Sequence, residues 1–151
     1  MALSWSISQD NSWKLNFATG RYFKIPTYTI LGFKDLNNNF INNDSKYTRS
    51  DHLVFGIEYN NSESSRFSIE AFNKKYFNYP ISVNDMVSLA NKGGDFEVLG
   101  NENVSTSGRG RSYGIEFLYQ QKLKNNFYGI LSYTFFYSKF SGFDKVFLPS
   151  V

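Results

Sequence analysis

His52-Leu53-Val54-Phe55-Gly56-Ile57-Glu58-Tyr59 and Arg66-Phe67-Ser68-Ile69-Glu70-Ala71-Phe72-Asn73-Lys74-Lys75-Tyr76, separated by the polar stretch Asn60–Ser65, decide how this chain folds. In the first run Leu53, Phe55, Ile57 and Tyr59 alternate with His52, Val54, Gly56 and Glu58. In the second, Phe67, Ile69 and Ala71 alternate with Arg66, Ser68 and Glu70. A period of two marks a strand with unlike faces, because successive side chains point to opposite sides of a pleated sheet. Two such runs with a short polar connection read as a hairpin.

The same unit stands on either side. Ala2–Ser8 and Trp13–Tyr22 flank Gln9-Asp10-Asn11-Ser12, and Ser112–Leu123 and Phe127–Ser138 flank Lys124-Asn125-Asn126. Leu3, Trp5 and Ile7 alternate with serines, Trp13, Leu15 and Phe17 with Lys14, Asn16 and Ala18, and Tyr113, Ile115, Phe117 and Tyr119 with Ser112, Gly114, Glu116 and Gln120. Phe127–Ser138 is partly apolar on both faces, since Ile130 and Phe136 interrupt the polar set. Phe55-Gly56-Ile57-Glu58-Tyr59 is echoed by Tyr113-Gly114-Ile115-Glu116-Phe117, with a glycine on the polar face that leaves room for a bulky neighbour. The expected fold is all-β: an antiparallel up-and-down meander of about six strands in three hairpins, with residues 1–151 as a single segment.

Long aromatic-rich stretches, Phe23–Asp51 and Phe77–Arg111, separate the hairpins. Tight turns at one end and long loops at the other are the arrangement of a transmembrane β-barrel wall, with short periplasmic turns and long extracellular loops. Tyr and Trp near strand ends suit the interfacial girdles of such a wall. The alternation alone also fits a soluble sugar-binding β-sandwich, in which the apolar face is a core. The two readings differ in which face is covered.

Composition narrows the field. Aromatic residues are 19% of the chain, with 16 Phe and 11 Tyr, which favours strands. No apolar run reaches the roughly 18 residues of a membrane helix. The net charge of +3 is scattered over the sequence, without the coherent basic face of a nucleic-acid groove. Cysteine is absent, so no disulfide framework or thiolate metal site exists. Met1-Ala2-Leu3-Ser4-Trp5 has neither the basic segment nor the apolar core of a signal peptide, so the barrel reading expects the chain to start within a longer protein.

Three segments resemble TonB-dependent outer-membrane receptors of the Bacteroides type: Gly20-Arg21-Tyr22-Phe23-Lys24-Ile25-Pro26-Thr27-Tyr28, the hairpin His52–Tyr59 with Arg66–Tyr76, and Gly108-Arg109-Gly110-Arg111-Ser112-Tyr113-Gly114-Ile115-Glu116-Phe117 leading to Phe127–Tyr137. The resemblance implies part of a barrel wall in the bacterial outer membrane, bathed in outer-membrane lipid. It implies uptake rather than catalysis, of a glycan, siderophore, vitamin or peptide. In the full-length parent a plug domain, absent from this chain, and TonB are the implied partners. Room for about six strands, and the ending Leu148-Pro149-Ser150-Val151, suggest a piece of such a barrel.

Family members bind ligand on extracellular loops and the upper lumen. The matching candidates are the aromatic residues Tyr28, Phe33, Tyr47, Tyr79 and Phe96, and the polar strand face would turn Lys14, Glu58, Glu70 and Glu116 toward the lumen. Other constellations fail on context. Asp51-His52 has no nucleophile near it in the sequence. Glu58, Glu70 and Glu116 are more simply a solvated or Lys14- and Arg66-paired face than the acid pair of a glycosidase. Asp35-Leu36-Asn37-Asn38-Asn39 begins like a calcium loop, but Phe40 stands where glycine is required and Lys46 where glutamate is. The glycines of Asn91-Lys92-Gly93-Gly94-Asp95 and Ser107-Gly108-Arg109-Gly110 do not sit between a strand and a helix, and are expected in turns of positive φ. No cofactor and no metal site is expected.

Overall fold

Hairpin follows hairpin along the chain. The computed structural model describes residues 1–62, 64–92 and 98–150. Its elements are β1 (Ala2–Ser6), β2 (Trp13–Lys24), the single-turn helix α1 (Tyr28–Leu31), β3 (Thr48–Ser62), β4 (Ser65–Ser82), β5 (Val104–Lys124), β6 (Phe127–Ser141) and β7 (Phe147–Pro149). Among the described residues the strands form one open sheet in sequential order, β1-β2-β3-β4-β5-β6-β7. The meander expected from the sequence is therefore present.

Turn chemistry sets the ends of the hairpins. Asn11 adopts φ +57 between β1 and β2, and the Asp10 carboxylate accepts from the Ser12 N–H (3.1 Å) and hydroxyl (2.8 Å). Hydrogen bonding from the Ser8 hydroxyl, together with these two from Ser12, favours the ionised form and lowers the Asp10 carboxyl to a pKa of about 2. Asn125 (φ +51) and Asn126 (φ +62) connect β5 to β6 in two left-handed residues, the pattern of a type I′ turn whose twist matches the strands it joins. The β3–β4 connection is equally short, although Glu63 at its centre lies outside the described residues.

Three features differ from the expected strand map. First, the strands are longer: β3 begins at Thr48, β4 runs to Ser82 and β5 begins at Val104, so the long connections shrink to residues 25–47 and 83–103. Second, β7 pairs antiparallel with β6 through Lys139↔Pro149, Phe140↔Leu148 and Ser141↔Phe147. The end of β6 is thus covered, while among the described residues the much shorter β7 leaves Phe127–Tyr137 without an outer strand. Third, Gly108 and Gly110 are strand residues rather than turn residues. A β-carbon at Gly108 would lie 2.6 Å from the Tyr79 carbonyl oxygen and 3.0 Å from Ile81, and one at Gly110 would enter the Phe140 ring. These glycines permit close approach, not positive φ.

The chain divides into two compact units, one of residues 1–20, 52–74 and 112–137, the other of residues 21–51, 75–111 and 138–151. In the first, odd-numbered side chains share one face. Leu3 pairs with Phe17 and Trp5 with Leu15, and ring contacts join Trp13 to Tyr59 (4.5 Å), Phe67 to Tyr119 (4.5 Å) and Tyr113 to Tyr137 (5.9 Å). Even-numbered residues share the other: Arg66 bonds Glu58 at 2.8 Å, and a β-carbon at Gly56 would lie 2.9 Å from Glu70 Cγ. The usual relation of polarity to burial is inverted. Phe55 (47%), Ile69 (54%) and Ile115 (53%) are exposed, whereas Glu58 (9%), Ser68 (6%) and Ser112 (9%) are buried. Small residues on the even face lie beneath long neighbours, while no second sheet covers the odd face among the described residues.

In the second unit a small apolar cluster of Ile30, Leu89 and Val104 anchors the two long connections. Asn78, at φ +55, inserts one left-handed residue into β4. Beyond it the parity reverses. The Tyr79 ring packs tilted against Phe140 at 4.5 Å and edge-to-face with Tyr76 at 6.3 Å, and Ile81 meets Gly108, so Tyr79 and Ile81 join an even-numbered set. One extra residue that shifts alternation within a strand is the action of a β-bulge.

Candidate functional site

Residues 25–47 and 83–103, with the strand ends that carry them, hold most of the polar chemistry of the second unit. Asn42 is their clasp. Its buried side-chain amide donates to the Ile30 carbonyl (3.0 Å) and the Glu102 carbonyl (2.8 Å), and its oxygen accepts from the Val104 N–H (3.1 Å). Thr29 Oγ1 donates to the Leu99 carbonyl (3.0 Å), and Gly100, at φ +87, is close enough to Ile30 that a β-carbon would clash at 2.6 Å. One connection is thereby laid on the other by groups whose hydrogen-bonding capacity is used internally.

A charged knot closes the second connection. Lys92 Nζ lies 2.6 Å from Asp85 and 2.7 Å from Glu102. Ser82, fully buried, hydrogen-bonds Glu102 and reaches Asp85 Oδ2 at 3.3 Å. Two carboxylates around one ammonium raise the Lys92 pKa to about 12 and draw that of Asp85 below the ordinary range. Glu102 is thus committed to structure.

Asp35 is committed likewise. Its Oδ1 accepts from the backbone N–H groups of Asn37 (2.9 Å) and Asn39 (2.8 Å), and Asn38 takes φ +65, which makes a self-capped turn. Lys34 lies over the Phe40 ring at 4.6 Å at the base of that turn. Among the described residues no group of three or more His, Asp and Glu side chains is gathered to hold a metal ion.

The aromatic candidates do not converge on one another. Tyr28, in α1, is 87% exposed, and Tyr47 is exposed just before β3. Phe33 is half-buried immediately after α1. Tyr79, expected in a loop, lies in β4, where burial between Tyr76 and Phe140 leaves it as packing. Phe96 lies outside the described residues. Of the polar-face set, Glu58 pairs with Arg66 and also accepts from Asn60 Nδ2 (2.9 Å), Glu70 covers Gly56, and Lys14 and Glu116 occupy the same even-numbered face. A polar cavity of about 240 Å³ on that face is lined by Glu58, Asn60, Arg66, Gln120 and Lys122 among others.

Two clusters had no counterpart in the sequence reading. Asp51 accepts a bidentate Arg21 (2.7 and 3.1 Å) and a second cation, Arg49, at 3.6 Å, and the Arg49 guanidinium lies 3.9 Å over the Phe77 ring. A cavity of about 380 Å³ is lined by Ser107, Arg109, Ser141, Gly142, Phe143, Lys145 and Phe147. Neither cluster is sequential, and only parity along β2 to β6 offered a signal for it.

Residues 2–150 match the model of the TonB dependent receptor-like β-barrel family. No curated protein and no solved structure matches the chain.

Proposed function

Because this chain belongs to the TonB-dependent receptor-like β-barrel family, a family of outer-membrane receptors and transporters rather than of enzymes, we propose that it forms part of a receptor's barrel wall and extracellular loops. In this reading it sits in the bacterial outer membrane with its odd-numbered face against lipid. Lys14, Glu58, Glu70 and Glu116 face the lumen, and the plug domain and TonB belong to the full-length receptor. The function is uptake without catalysis. A nutrient of glycan, siderophore, vitamin or peptide class is captured near Tyr28, Phe33 and Tyr47, then passes through the barrel once TonB displaces the plug.

The observation that carries the reading is the inverted burial of the first unit. A water-soluble sheet covers its apolar face because exposed apolar area costs about 25 cal/mol per Å². Here that face is bare and aromatic, while Glu58 and Arg66 are paired on the other. A bilayer removes the cost and leaves only the alternation. The open edge along Phe127–Tyr137 fits the same view, because neighbouring barrel strands would satisfy its backbone groups. A sugar-binding sandwich needs a second sheet about 10 Å from the apolar face.

The chain's two tryptophans provide the test. Trp5 and Trp13 lie on the odd-numbered face and are exposed. The chain is reconstituted in phosphatidylcholine vesicles with or without brominated acyl chains. Strong quenching of tryptophan fluorescence by the brominated lipid is expected. Unquenched fluorescence, from a chain that is a monodisperse monomer without detergent, would overturn the membrane reading.

A further inference from the structure

Along each long strand the odd-numbered positions change chemistry on entering the second unit. β2 passes from Phe17 to Arg21, β3 from Leu53 back to Asp51 and Arg49, and β4 from Ala71 to Lys75. β5 passes from Tyr113 back to Arg111 and Arg109, and β6 from Tyr137 to Lys139. Strand alternation keeps each cation on the side of its own strand that carries the apolar residues. We propose that these residues, with Lys145, form a binding surface for phosphate-bearing lipid headgroups.

Two groups of these charges are gathered, one around Asp51 and one at Arg109 and Lys145. Asp51 pairs with Arg21 at 2.7 Å and lies 3.6 Å from Arg49, so one carboxylate is shared by two cations. A cavity of about 380 Å³ forms a recess at the second group. Pairing of Ser141 with Phe147 puts both side chains on one face, beside Arg109 and Lys145. Among the described residues neither Arg109 nor Lys145 makes an ion pair, and the nearby Asp144 uses Oδ1 to accept the Val146 N–H at 3.0 Å. A guanidinium fork and an ammonium are the groups that hold phosphate. Phe143 and Phe147 offer apolar contact to the stem below a headgroup. The occupant is a lipid rather than free phosphate because the cations continue strand faces that are otherwise apolar and bare.

This inference rests on the membrane reading, and its test separates the two. The full chain in nonionic detergent is titrated with dioctanoyl phosphatidic acid and, in parallel, dioctanoyl phosphatidylcholine, with bound lipid counted by native mass spectrometry. Preferential retention of phosphatidic acid is expected. A double variant, Arg109→Gln with Lys145→Gln, should weaken that retention about 25-fold, at about fivefold for each cation near an anionic surface. The even-face control Lys14→Gln with Lys122→Gln should leave it unchanged. Far-ultraviolet circular dichroism checks that both variants keep the strand signal, and single variants replace a double variant that does not. Equal retention of the two lipids, loss in the control variant, or full competition by inorganic phosphate would overturn the inference. If Trp5 and Trp13 are quenched in bilayers while phosphatidic acid is not preferred, only this inference fails. Unquenched tryptophans defeat the membrane reading itself.

Discussion

Replacing Asn42 with alanine should loosen both long connections together. The side chain is 3% exposed and makes three hydrogen bonds, two as donor and one as acceptor, to backbone groups of Ile30, Glu102 and Val104. Each bond contributes about 1 kcal/mol net, and a buried group left without a partner costs about 1–3 kcal/mol. Water can reach part of the site once the side chain is cut back, so the lower bound is the safer sum: about 3 kcal/mol. That is on the order of a hundredfold in the local opening equilibrium. Hydrogen exchange of the Val104 amide reads that equilibrium directly, because its N–H is the donor to Asn42 Oδ1. Asn42→Asp supplies the control. It keeps the acceptor for Val104 but sets a carboxylate against two carbonyl oxygens, so it should open the Ile30 and Glu102 side at least as much. A Val104 amide that exchanges at the same rate in Asn42→Ala as in the parent would show that the connections are held by the Ile30, Leu89 and Val104 cluster alone, and the clasp argument would be wrong.

Ile57→Lys places a charge on the bare face of β3 and should cost roughly 2–4 kcal/mol in a bilayer if the site lies near its midplane; a variant that melts like the parent in vesicles would contradict that placement. Gly110→Val drives a branched side chain into the Phe140 ring and should destabilise by about 1–3 kcal/mol, measured by denaturant titration in micelles. The Lys92 knot gives a pH dependence with a definite sign. Its folded pKa is raised to about 12 from 10.5, so its contribution is complete below 10.5 and is lost as the pH climbs through about 12. The lowered Asp85 pKa gives the opposite limb, present above 3.8 and lost as the pH falls further. Protease resistance of residues 83–92 should therefore be flat between those limits, and Lys92→Gln should abolish the alkaline limb.

The parts legible in the sequence are those where one rule acted alone. Where strands have one apolar and one polar face, as in Leu53–Tyr59 and Tyr113–Tyr119, period two located them and their turns. The upper reaches were hidden because their alternation is of another kind. Val104–Arg111 reads Val-Ser-Thr-Ser-Gly-Arg-Gly-Arg: small residues are buried against Tyr79, Ile81 and Phe140, and serine or arginine alternates outward. A hydrophobicity pattern does not register glycine as inward-facing. Tyr79 was misplaced for a related reason. The left-handed Asn78 reverses parity within β4, and one Asn in an aromatic stretch does not announce a bulge. β7 was too short, and its proline suits an edge position rather than a strand interior. Asn42 had no local signature, because its partners Glu102 and Val104 are some 60 positions away in sequence.

Alternation also carries no sign. The same series Leu53, Phe55, Ile57 and Tyr59 describes a sandwich core or a lipid face, and no refinement of the periodicity separates them. The observation that favours the membrane reading proposed above is where the small residues stand. A sandwich places its large apolar side chains inward and tolerates any polar residue outward. In this chain the small residues Gly56, Ser68, Ser112 and Gly114 sit on the face of Glu58, Glu70 and Arg66, where Ser68 and Ser112 are buried and Glu70 lies over Gly56. At Gly114 even a β-carbon would meet Phe136 at 2.6 Å. Such economy of volume is required where side chains crowd, and the crowded face here is the polar one. The aromatic face, by contrast, carries large exposed residues at successive outward positions of β6, at Tyr133, Phe135 and Tyr137, with no second sheet over them among the described residues. A face built of large apolar groups without interdigitating partners is built for a fluid apolar solvent, and a polar face built of small groups is built against its own neighbours. The membrane reading proposed above accounts for that pairing, and a soluble core would not; the quenching of Trp5 and Trp13 by brominated lipid is the measurement that checks it.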